Sequence, residues 1–562
     1  EKANVQRMCE RSQKLIPQTL LQRLCRDAGG GQTPIDSSKK LVVEESWIEE
    51  IEGACGLFDI SGFSRLASKL TKEEASEKVE HAKSRRQSKR NSIVSFASTA
   101  ENDLLKNAGQ MLVEETDARG KGSEHLASFI SGFFESLVET ISASGGDIIK
   151  FAGDCLICVW EKKGDFSMGQ TVYNAVRCGY KLKDKVTKLD DSSSLSVHIC
   201  VGAGKMKLVS LSSSGRAEYF VLGDGYVEAL SGIDASNSGE IVLSKGGYEH
   251  LKAALDNKVN GDGEAQESPA EISGATRMET RELEGHDHRL LVYLDKGIFA
   301  DVVPLTTGVL PPPALETASS YIPRNVRQLI SSGEEKSLLH DIAVVFINFR
   351  GVENMSLEQL NRLFKAIAAS VNTARASLKD FIVDDKGAVA VVIVGFPGEG
   401  HAVGLQDHSN AARALSVALS IRKKAALQGV FVGTGIASGK AYCGMVGSEN
   451  RCNYAAVGSI VNLSARFMGK DMKQGGRIIV SEQIAMDRYV RTKYRFAPLA
   501  PMALKGFERT VSTYIPTGRI DRNTNILNPD STVFVSREET LEKLHDAAST
   551  DGTALLVKCE KG

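Results

Sequence analysis

Two segments of the chain share one order of apolar and polar positions. In each, an Ile-Pro pair precedes a run with the apolar spacing of an amphipathic helix, at 14–25 (KLIPQTLLQRLC) and at 320–331 (SYIPRNVRQLIS). A polar break follows each helix, and then comes a strongly apolar strand, at 54–60 (ACGLFDI) and at 342–349 (IAVVFINF). The pattern predicts two helices and two buried strands in the same order.

A second pair of segments supports an internal duplication. The stretches 219–225 (YFVLGDG) and 454–460 (YAAVGSI) both begin as strands and lead into helical patterns. We therefore predict two copies of an α/β domain. Their expected bounds are 45–300 and 338–520, with an N-terminal helical segment at 1–44 and a linker at 301–337 that contains Pro311-Pro312-Pro313.

Polar stretches interrupt the first copy, and a further segment follows the second. The insertions at 71–125 and 256–280 are predicted to bury little apolar surface. The tail at 521–562 alternates an apolar strand, a charged helix and a second strand, ALLVKCEKG, that stops where a phosphate loop would begin. Because it contains no GxxxxGK(S/T) motif, no nucleotide hydrolysis is assigned to it.

The composition is that of a folded, soluble protein. Hydrophobic residues make up 42% and charged residues 25% of the 562 residues, and the net charge of -1 indicates no nucleic-acid or anionic-membrane partner. The longest apolar run, around 388–396, is far shorter than the roughly 20 residues that span a bilayer. The ten cysteines follow no disulfide framework, and the CxxC at Cys155 and Cys158 is predicted to pack in a core strand. We expect a reducing cytoplasmic setting, with peripheral membrane association left open, for a chain that starts at Glu1 and is expected to be part of a longer protein.

Two acidic residues lie where strands of the first copy end. Asp59 ends an apolar strand and precedes a Ser61-Gly62 turn that enters a helix. The backbone N–H groups of such a turn suit phosphate oxygens. Asp154 lies in the turn of a predicted hairpin. A helix cap and an ordinary turn residue would look the same one at a time, but together the two acids are what two divalent cations about 4 Å apart require.

A polar pair marks the second copy. A helix predicted to start near Ser459 places Asn462 and Arg466 four residues apart on one face, among apolar neighbours. The two side chains form either a buried structural pair or an amide and a guanidinium that face a ribose and a phosphate.

Together these motifs resemble the class III nucleotidyl cyclases, and most closely the soluble, bicarbonate-responsive adenylyl cyclases with tandem catalytic domains. The resemblance covers roughly 45–520 and is sharpest in FDISGF, KFAGD, DKG followed by GFPGE, and GIASGKAYCGMVG leading to YAAVGSIVNLSAR. In the tail, FVSREETLEKL is similar to the start of the ATPase module that follows the cyclase pair in that family. The implied fold is α+β, with two ferredoxin-like cyclase domains that form an intramolecular pseudo-heterodimer, so that a monomer suffices.

The resemblance implies conversion of ATP to 3′,5′-cyclic AMP and pyrophosphate at one site between the domains. It assigns two Mg²⁺ (or Mn²⁺) ions as cofactors. The implied metal ligands are Asp59, Asp154 and the carbonyl of Ile60; the implied triphosphate contacts are Gly62, Phe63, Ser64 and His198, the last in place of a lysine. Asn462 would orient the ribose, and Arg466 would stabilise the transition state at the α-phosphoryl group.

The purine is less well defined by the sequence. In the adenylyl family a Lys and a Thr or Asp read adenine, and the ungapped match puts Asp380 and Ala455 at these positions. An acid at 380 would accept hydrogen bonds from guanine, whereas a shift of one residue gives the adenine role to Lys379. We favour ATP over GTP on overall resemblance. A guanylyl cyclase and a catalytically silent nucleotide-binding regulatory module are the alternatives.

The two copies differ in a complementary way. Asn348 takes the place of Asp59, whereas Val227 and Ser231 take the places of Asn462 and Arg466. This asymmetry predicts one competent site and one degenerate pseudo-site. The implied pseudo-site residues are Lys150, Val221, Leu230 and Val383. Since a leucine stands at 230 instead of the arginine that would hold an anion, we expect a weak response to bicarbonate.

Overall fold

A computed structural model of the chain describes residues 11–27, 45–62, 121–183, 187–190, 193–261, 278–295, 298–299, 312–333, 338–384, 387–399, 409–474, 476–504, 507 and 510–520. Phe63 and Ser64, most of the insertion predicted at 71–125, and the tail at 521–562 lie outside these residues.

The N-terminal half forms one sheet covered by helices. Its elements are α1 (Gln18–Asp27), β1 (Trp47–Ser61), α2 (Lys121–Ala143), β2 (Asp147–Ala152), β3 (Cys155–Glu161), α3 (Met168–Leu182), β4 (Thr187–Asp190), β5 (Ser193–Ser213), β6 (Arg216–Gly223), α4 (Asp224–Ile233), β7 (Ile241–Leu243), α5 (Lys245–Gly261), β8 (Met278–Glu282) and β9 (Arg289–Leu294). The sheet runs β2-β3-β1-β5-β7-β9-β8, with β4 and β6 also paired to β5. Because β2, β3, β1 and β5 are antiparallel neighbours and α2 and α3 connect them, this core is a ferredoxin-like βαββαβ unit.

The C-terminal half repeats this architecture. Its elements are α6 (Pro312–Ser319), α7 (Arg324–Ser332), β10 (Leu338–Arg350), α8 (Leu357–Thr373), β11 (Ser377–Asp384), β12 (Gly387–Val394), α9 (Asn410–Ala426), β13 (Phe431–Gly447), β14 (Cys452–Val457), α10 (Ser459–Gln474), β15 (Ile478–Ser481), α11 (Glu482–Ala485), α12 (Arg488–Arg491), β16 (Tyr494–Pro498) and β17 (Thr513–Arg519). The sheet runs β11-β12-β10-β13-β15-β17-β16, with β14 paired to β13. The strand order matches that of the first sheet, so the predicted α+β fold with two ferredoxin-like domains is confirmed.

The two Ile-Pro helices form as the sequence predicts. Helix α1 starts directly after Pro17, and α7 starts directly after Pro323. The carbonyl of each proline accepts a hydrogen bond from the first turn, from Leu21 N–H and from Arg327 N–H. Part of the stretch predicted as a linker at 301–337 is thus helical. The reason is burial: Ala318, Ile322 and Val326 of this stretch are 0–2% exposed.

The segment that precedes the first domain contacts the second domain, and the segment that precedes the second domain contacts the first. The backbone N–H of Cys452 in β14 donates to the carbonyl of Lys14, ahead of α1, at 2.7 Å. In the equivalent place, the backbone N–H of Ala217 in β6 donates to the carbonyl of Ser320, ahead of α7, at 2.8 Å. The Lys14 side chain also pairs with Glu449. These reciprocal contacts join the two halves across their boundary.

One of the apolar clusters that cross from one domain to the other also includes the stretch between them. It includes Ile157 and Tyr219 of the first domain, Ile322 of the intervening stretch, and Tyr454 and Ile460 of the second. Burying a side chain of this size contributes about 1.5–3 kcal/mol, so the shared cluster holds the domains together. Among the described residues no helix is both long and apolar enough to cross a membrane.

Candidate active site

Asp59 lies at the end of β1, between two polar neighbours in the sheet. Its direct partners are Cys155 in β3 and His198 in β5. Directly paired residues present their side chains on the same face of a sheet. Burial raises the pKa of Asp59, while the charge of His198 opposes the rise and Asp234 adds to it. The His198 ring is oriented by its Nδ1, which lies 3.1 Å from the carbonyl oxygen of Ser236.

Asp154 lies in the β2–β3 turn next to Asp59. The turn uses Gly153 at a φ of 70°, which favours glycine, and the backbone N–H of Ile60 donates to the Asp154 carbonyl at 3.0 Å. Burial and the charge of Asp59 raise the pKa of the Asp154 carboxyl to about 6. Two carboxylates are thus held in a half-buried place where each disfavours the charge of the other.

This pair of acids fits a divalent cation. Among the described residues no group of three or more His, Cys, Asp or Glu side chains is arranged to hold a metal by itself. Magnesium usually takes one or two carboxylates and completes its shell with phosphates and water. Asp59 and Asp154 would therefore bind ions together with a phosphate-bearing ligand, and the carbonyl of Ile60, the residue after Asp59, stays a predicted further ligand. The predicted phosphate-binding turn is described only as far as Gly62, at a φ of 91°, because Phe63 and Ser64 lie outside the described residues.

Helix α10 carries the polar pair of the second domain. It starts at Ser459, where the sequence predicts it, so Asn462 and Arg466 are one helical turn apart and both are half-buried. The Arg466 guanidinium lies 5.6 Å from the ring centre of Phe507. Its Nη1 is buried and has no hydrogen-bond partner among the described residues. A buried donor without an acceptor is costly, and an anionic ligand would satisfy it.

Segments next to both pairs contact one apolar cluster. Ala152 and Cys155, which flank the turn of Asp154, pack against the same cluster as Ile460 and Leu463 of α10. That cluster contains residues of both domains.

A β-bulge explains why the sequence does not decide whether Lys379 or Asp380 takes the base-reading position. The pairing of β11 with β12 shifts between Leu378 and Asp380, so Lys379 is the extra residue. The Lys379 Nζ lies 3.0 Å from Asp380 Oδ2, and only 9% and 10% of their side chains are exposed. Both line a pocket of about 60 Å³ at the interface, together with Tyr454. Ala455 is half-buried and packs against the first-domain core.

The first domain has the same bulge, which aligns the two halves. There the pairing of β2 with β3 shifts between Ile148 and Lys150, so Lys150 is the structural equivalent of Asp380. In the long strands, Gly204 of β5 and Gly439 of β13 are equivalent, with φ angles of 155° and 156°. Counting from these glycines makes Asn348 the equivalent of Asp59.

The second copy of the metal site lacks the polar surroundings of the first. Asn348 pairs with Val389 and Gly433, in place of the Cys155 and His198 beside Asp59. Its Oδ1 is buried without a hydrogen-bond partner among the described residues. A neutral amide between an apolar residue and a glycine offers a cation little, so the geometry favours one metal site.

The predicted pseudo-site residues are buried or half-buried, and the charged one, Lys150, has a partner within the protein. Lys150 is 7% exposed and pairs with Glu218. Val221 and Val383 are buried, and Leu230 is half-buried. Ser231, the counterpart of Arg466, has its Oγ 2.8 Å from His288 Nε2.

Two buried arginines are absent from the sequence-based predictions. Arg216 and Arg451 lie three residues before Tyr219 and Tyr454, so the repeat extends backwards into RAEY and RCNY. Each donates across the interface: Arg216 Nη2 lies 3.5 Å from the Leu378 carbonyl, and Arg451 Nε donates to the Ile148 carbonyl at 3.2 Å. The repeated Arg-x-x-Tyr is the signal that could have revealed them.

Replacing Asp154 by asparagine is expected to stabilise the protein in the absence of metal. Its carboxylate is destabilised by burial and by Asp59, so the neutral amide should raise the free energy of unfolding by roughly 1 kcal/mol near pH 7.5, allowing for solvent screening. A raised pKa costs stability only where the group is ionised. The gain should therefore shrink as the pH falls through about 6, where the wild-type carboxyl is protonated. Thermal unfolding in EDTA at about pH 7.5 and pH 5 measures this, and an equal or reversed difference at the two pH values would contradict it.

Comparison with known proteins gives adenylate cyclases among the relatives. Adenylate cyclase type 10 of Rattus norvegicus is 20% identical over 401 residues, which cover 69% of this chain and 24% of the relative. The Homo sapiens protein of that name is 20% identical over 418 residues, covering 72% of this chain and 25% of the relative. The chain thus spans about a quarter of the length of the curated relatives it matches. A solved structure, the adenylyl cyclase CyaB from P. aeruginosa, matches 32% of this chain and 95% of its own at 20% identity, with a TM-score of 0.28. No family model matches the chain.

Proposed function

We propose that this chain, which belongs to the class III nucleotidyl cyclases, converts ATP to 3′,5′-cyclic AMP and pyrophosphate at one site between its tandem domains. The observation that carries the proposal is the one-sided pair of acids. Burial raises the pKa of both carboxyls, and the charge of Asp59 raises that of Asp154 further, so a bound cation would stabilise their charged forms. Asn348, in the place equivalent to Asp59, is neutral.

The reaction joins the ribose 3′-oxygen to the α-phosphorus, breaks the bond from the α-phosphorus to the bridging oxygen of pyrophosphate, and releases the 3′-hydroxyl proton. Asp59 and Asp154 would hold two Mg²⁺ or Mn²⁺ ions. Such ions lower the pKa of the 3′-hydroxyl and stabilise the leaving pyrophosphate. Asn462 would orient the ribose so that the attack is in line, which is mainly a matter of positioning. Arg466 would donate its unpaired Nη1 to the α-phosphoryl oxygens as charge develops there.

The preference for ATP or GTP would depend on the residues at the β11 bulge. Lys379 supplies donors that suit the N1 acceptor of adenine, and the support for ATP is the similarity to adenylate cyclase type 10. GTP is the second candidate because the buried carboxylate of Asp380 lies beside Lys379 and accepts hydrogen bonds, as guanine N1–H and N2–H₂ require.

Product identification tests both candidates. The protein is incubated with Mg²⁺ or Mn²⁺ and either ATP or GTP, and the products are identified by mass. Cyclic AMP is the expected product. Cyclic GMP alone would replace the adenylyl proposal by the guanylyl one, and binding of nucleotide without any cyclic product would leave a silent regulatory module.

Bicarbonate is expected to change the activity by less than about twofold. The Lys150 side chain already pairs with the carboxylate of Glu218, and Leu230 stands where the resemblance expects the arginine that would hold an anion. Initial rates from zero to saturating bicarbonate, at constant pH and ionic strength, measure the response. Activation of several-fold that is lost in Lys150→Ala would overturn this expectation.

We also propose a cytoplasmic location and a monomeric active unit. Eight of the cysteines are described and all are free thiols, as expected in a reducing compartment. An apolar cluster shared by the two domains of one chain supports a monomeric active unit.

A further inference from the structure

Two cations of the first domain hold the strand of the second domain that carries Lys379 and Asp380. The Lys150 Nζ donates to the carbonyl of Phe381 at 3.2 Å, and Arg216 Nη2 lies 3.5 Å from the carbonyl of Leu378. Leu378 and Phe381 are the residues immediately before and after the Lys379-Asp380 pair. The backbone on both sides of the bulge is therefore bound from the other domain.

The carboxylate of Glu218 connects these two cations. One of its oxygens accepts from Lys150, and the other accepts from Arg216 Nη2 at 2.6 Å. The side chains of Lys150, Glu218 and Arg216 are 7%, 6% and 8% exposed. Buried charges at this depth persist only when they are paired and hydrogen-bonded, so removing the carboxylate would leave two uncompensated cations against the strand.

The other half of the molecule has the arginine but not the network. Arg451 is equivalent to Arg216 and donates to Ile148 on β2, which carries no base-reading candidate. In place of Glu218 the second domain has Asn453, and in place of Lys150 it has Asp380. The charged network thus supports only one of the two bulges, the one in β11.

We propose that Arg216, Glu218 and Lys150 are positioning residues that fix the β11 bulge and thereby set which purine the protein prefers. They act through the backbone at Leu378 and Phe381, not by contact with the nucleotide. This inference rests on the proposed function, since it concerns the residues that would read the base.

The test compares two network variants, Glu218→Gln and Arg216→Lys, with a control variant, Arg451→Lys. Arg216→Lys serves as a second variant because it keeps the charge but loses the paired geometry, and Arg451→Lys makes the same change in the half that lacks the network. For each protein, the Kd values of fluorescent ATP and GTP analogues are measured together with kcat and KM for both nucleotides. Thermal unfolding identifies the variants that are folded.

Glu218→Gln and Arg216→Lys are expected to change the ATP-to-GTP ratio of Kd and KM by about fivefold or more, with a smaller effect on kcat. Arg451→Lys should leave that ratio within about twofold of the wild type. Ratios that change no more in the two network variants than in Arg451→Lys would overturn the inference while leaving the cyclase proposal intact. Selective binding without any cyclic product would contradict the cyclase proposal alone, and a wild-type protein that binds neither analogue would contradict both.

Discussion

Replacement of Asp59 by asparagine is expected to reduce cyclic-nucleotide formation by on the order of 10³-fold or more. The change keeps the size of the side chain and removes the charge that a divalent cation needs. Asp154 alone would remain of the acidic pair. A single carboxylate is a weak anchor for two divalent ions, so the loss should appear with both Mg²⁺ and Mn²⁺.

The equivalent position in the second domain provides the control. Asn348→Ala removes an amide whose Oδ1 already lacks a partner among the described residues, so turnover should stay within about threefold of the wild type. Cyclic product measured by mass, with thermal unfolding to check the fold, distinguishes the two variants. Retained turnover in Asp59→Asn, or a comparable loss in Asn348→Ala, would contradict the assignment of the acidic pair to a single site.

Replacement of Arg466 by alanine is the second large effect that we expect. The buried Nη1 of Arg466 has no acceptor among the described residues, which suits a donor whose partner arrives with the substrate. If it meets charge that develops on the α-phosphoryl group, its loss should lower kcat by about 10²–10³-fold with little change in KM. Steady-state kinetics over a range of ATP concentrations measures both constants.

Two further variants serve as controls for Arg466→Ala. Arg466→Lys should recover part of the rate because the positive charge remains while the planar guanidinium is lost. Ser231→Ala, at the equivalent place on α4, should leave kcat within about threefold. A rise in KM with unchanged kcat for Arg466→Ala would mean that the guanidinium binds substrate and transition state equally, contrary to the proposed role.

The pseudo-symmetry of the molecule gives each of these experiments its internal control. The two halves share equivalent interface contacts, such as the reciprocal bonds of Lys14 with Cys452 and of Ser320 with Ala217. They differ at Asp59 and Asn348, and at Arg466 and Ser231. A substitution at one version can therefore be compared with the same change in a similar setting that lacks the proposed function.

The amino-acid sequence alone determined the local elements and the duplication. The Ile-Pro helices, the hairpin turn at Gly153 and Asp154, and the start of α10 at Ser459 are all where the sequence predicts them. These features depend on turn chemistry, helix-start signals and apolar periodicity, which are properties of neighbouring residues. The roles of Asp59, Asp154, Asn462 and Arg466 come from resemblance and stay predictions until turnover is measured.

The tertiary structure alone decided how the two halves meet. The bulge that makes Lys379 an extra residue is a property of the register between β11 and β12, and neither strand reveals it by itself. Helix α6, at 312–319, forms where the sequence predicts a linker, because the domain interface buries Ala314 and Ala318. The bonds of Lys150 and Arg216 to β11 join residues from separate domains. Such contacts arise only when distant strands pack together and buried charges must find partners, so no local pattern of residues predicts them.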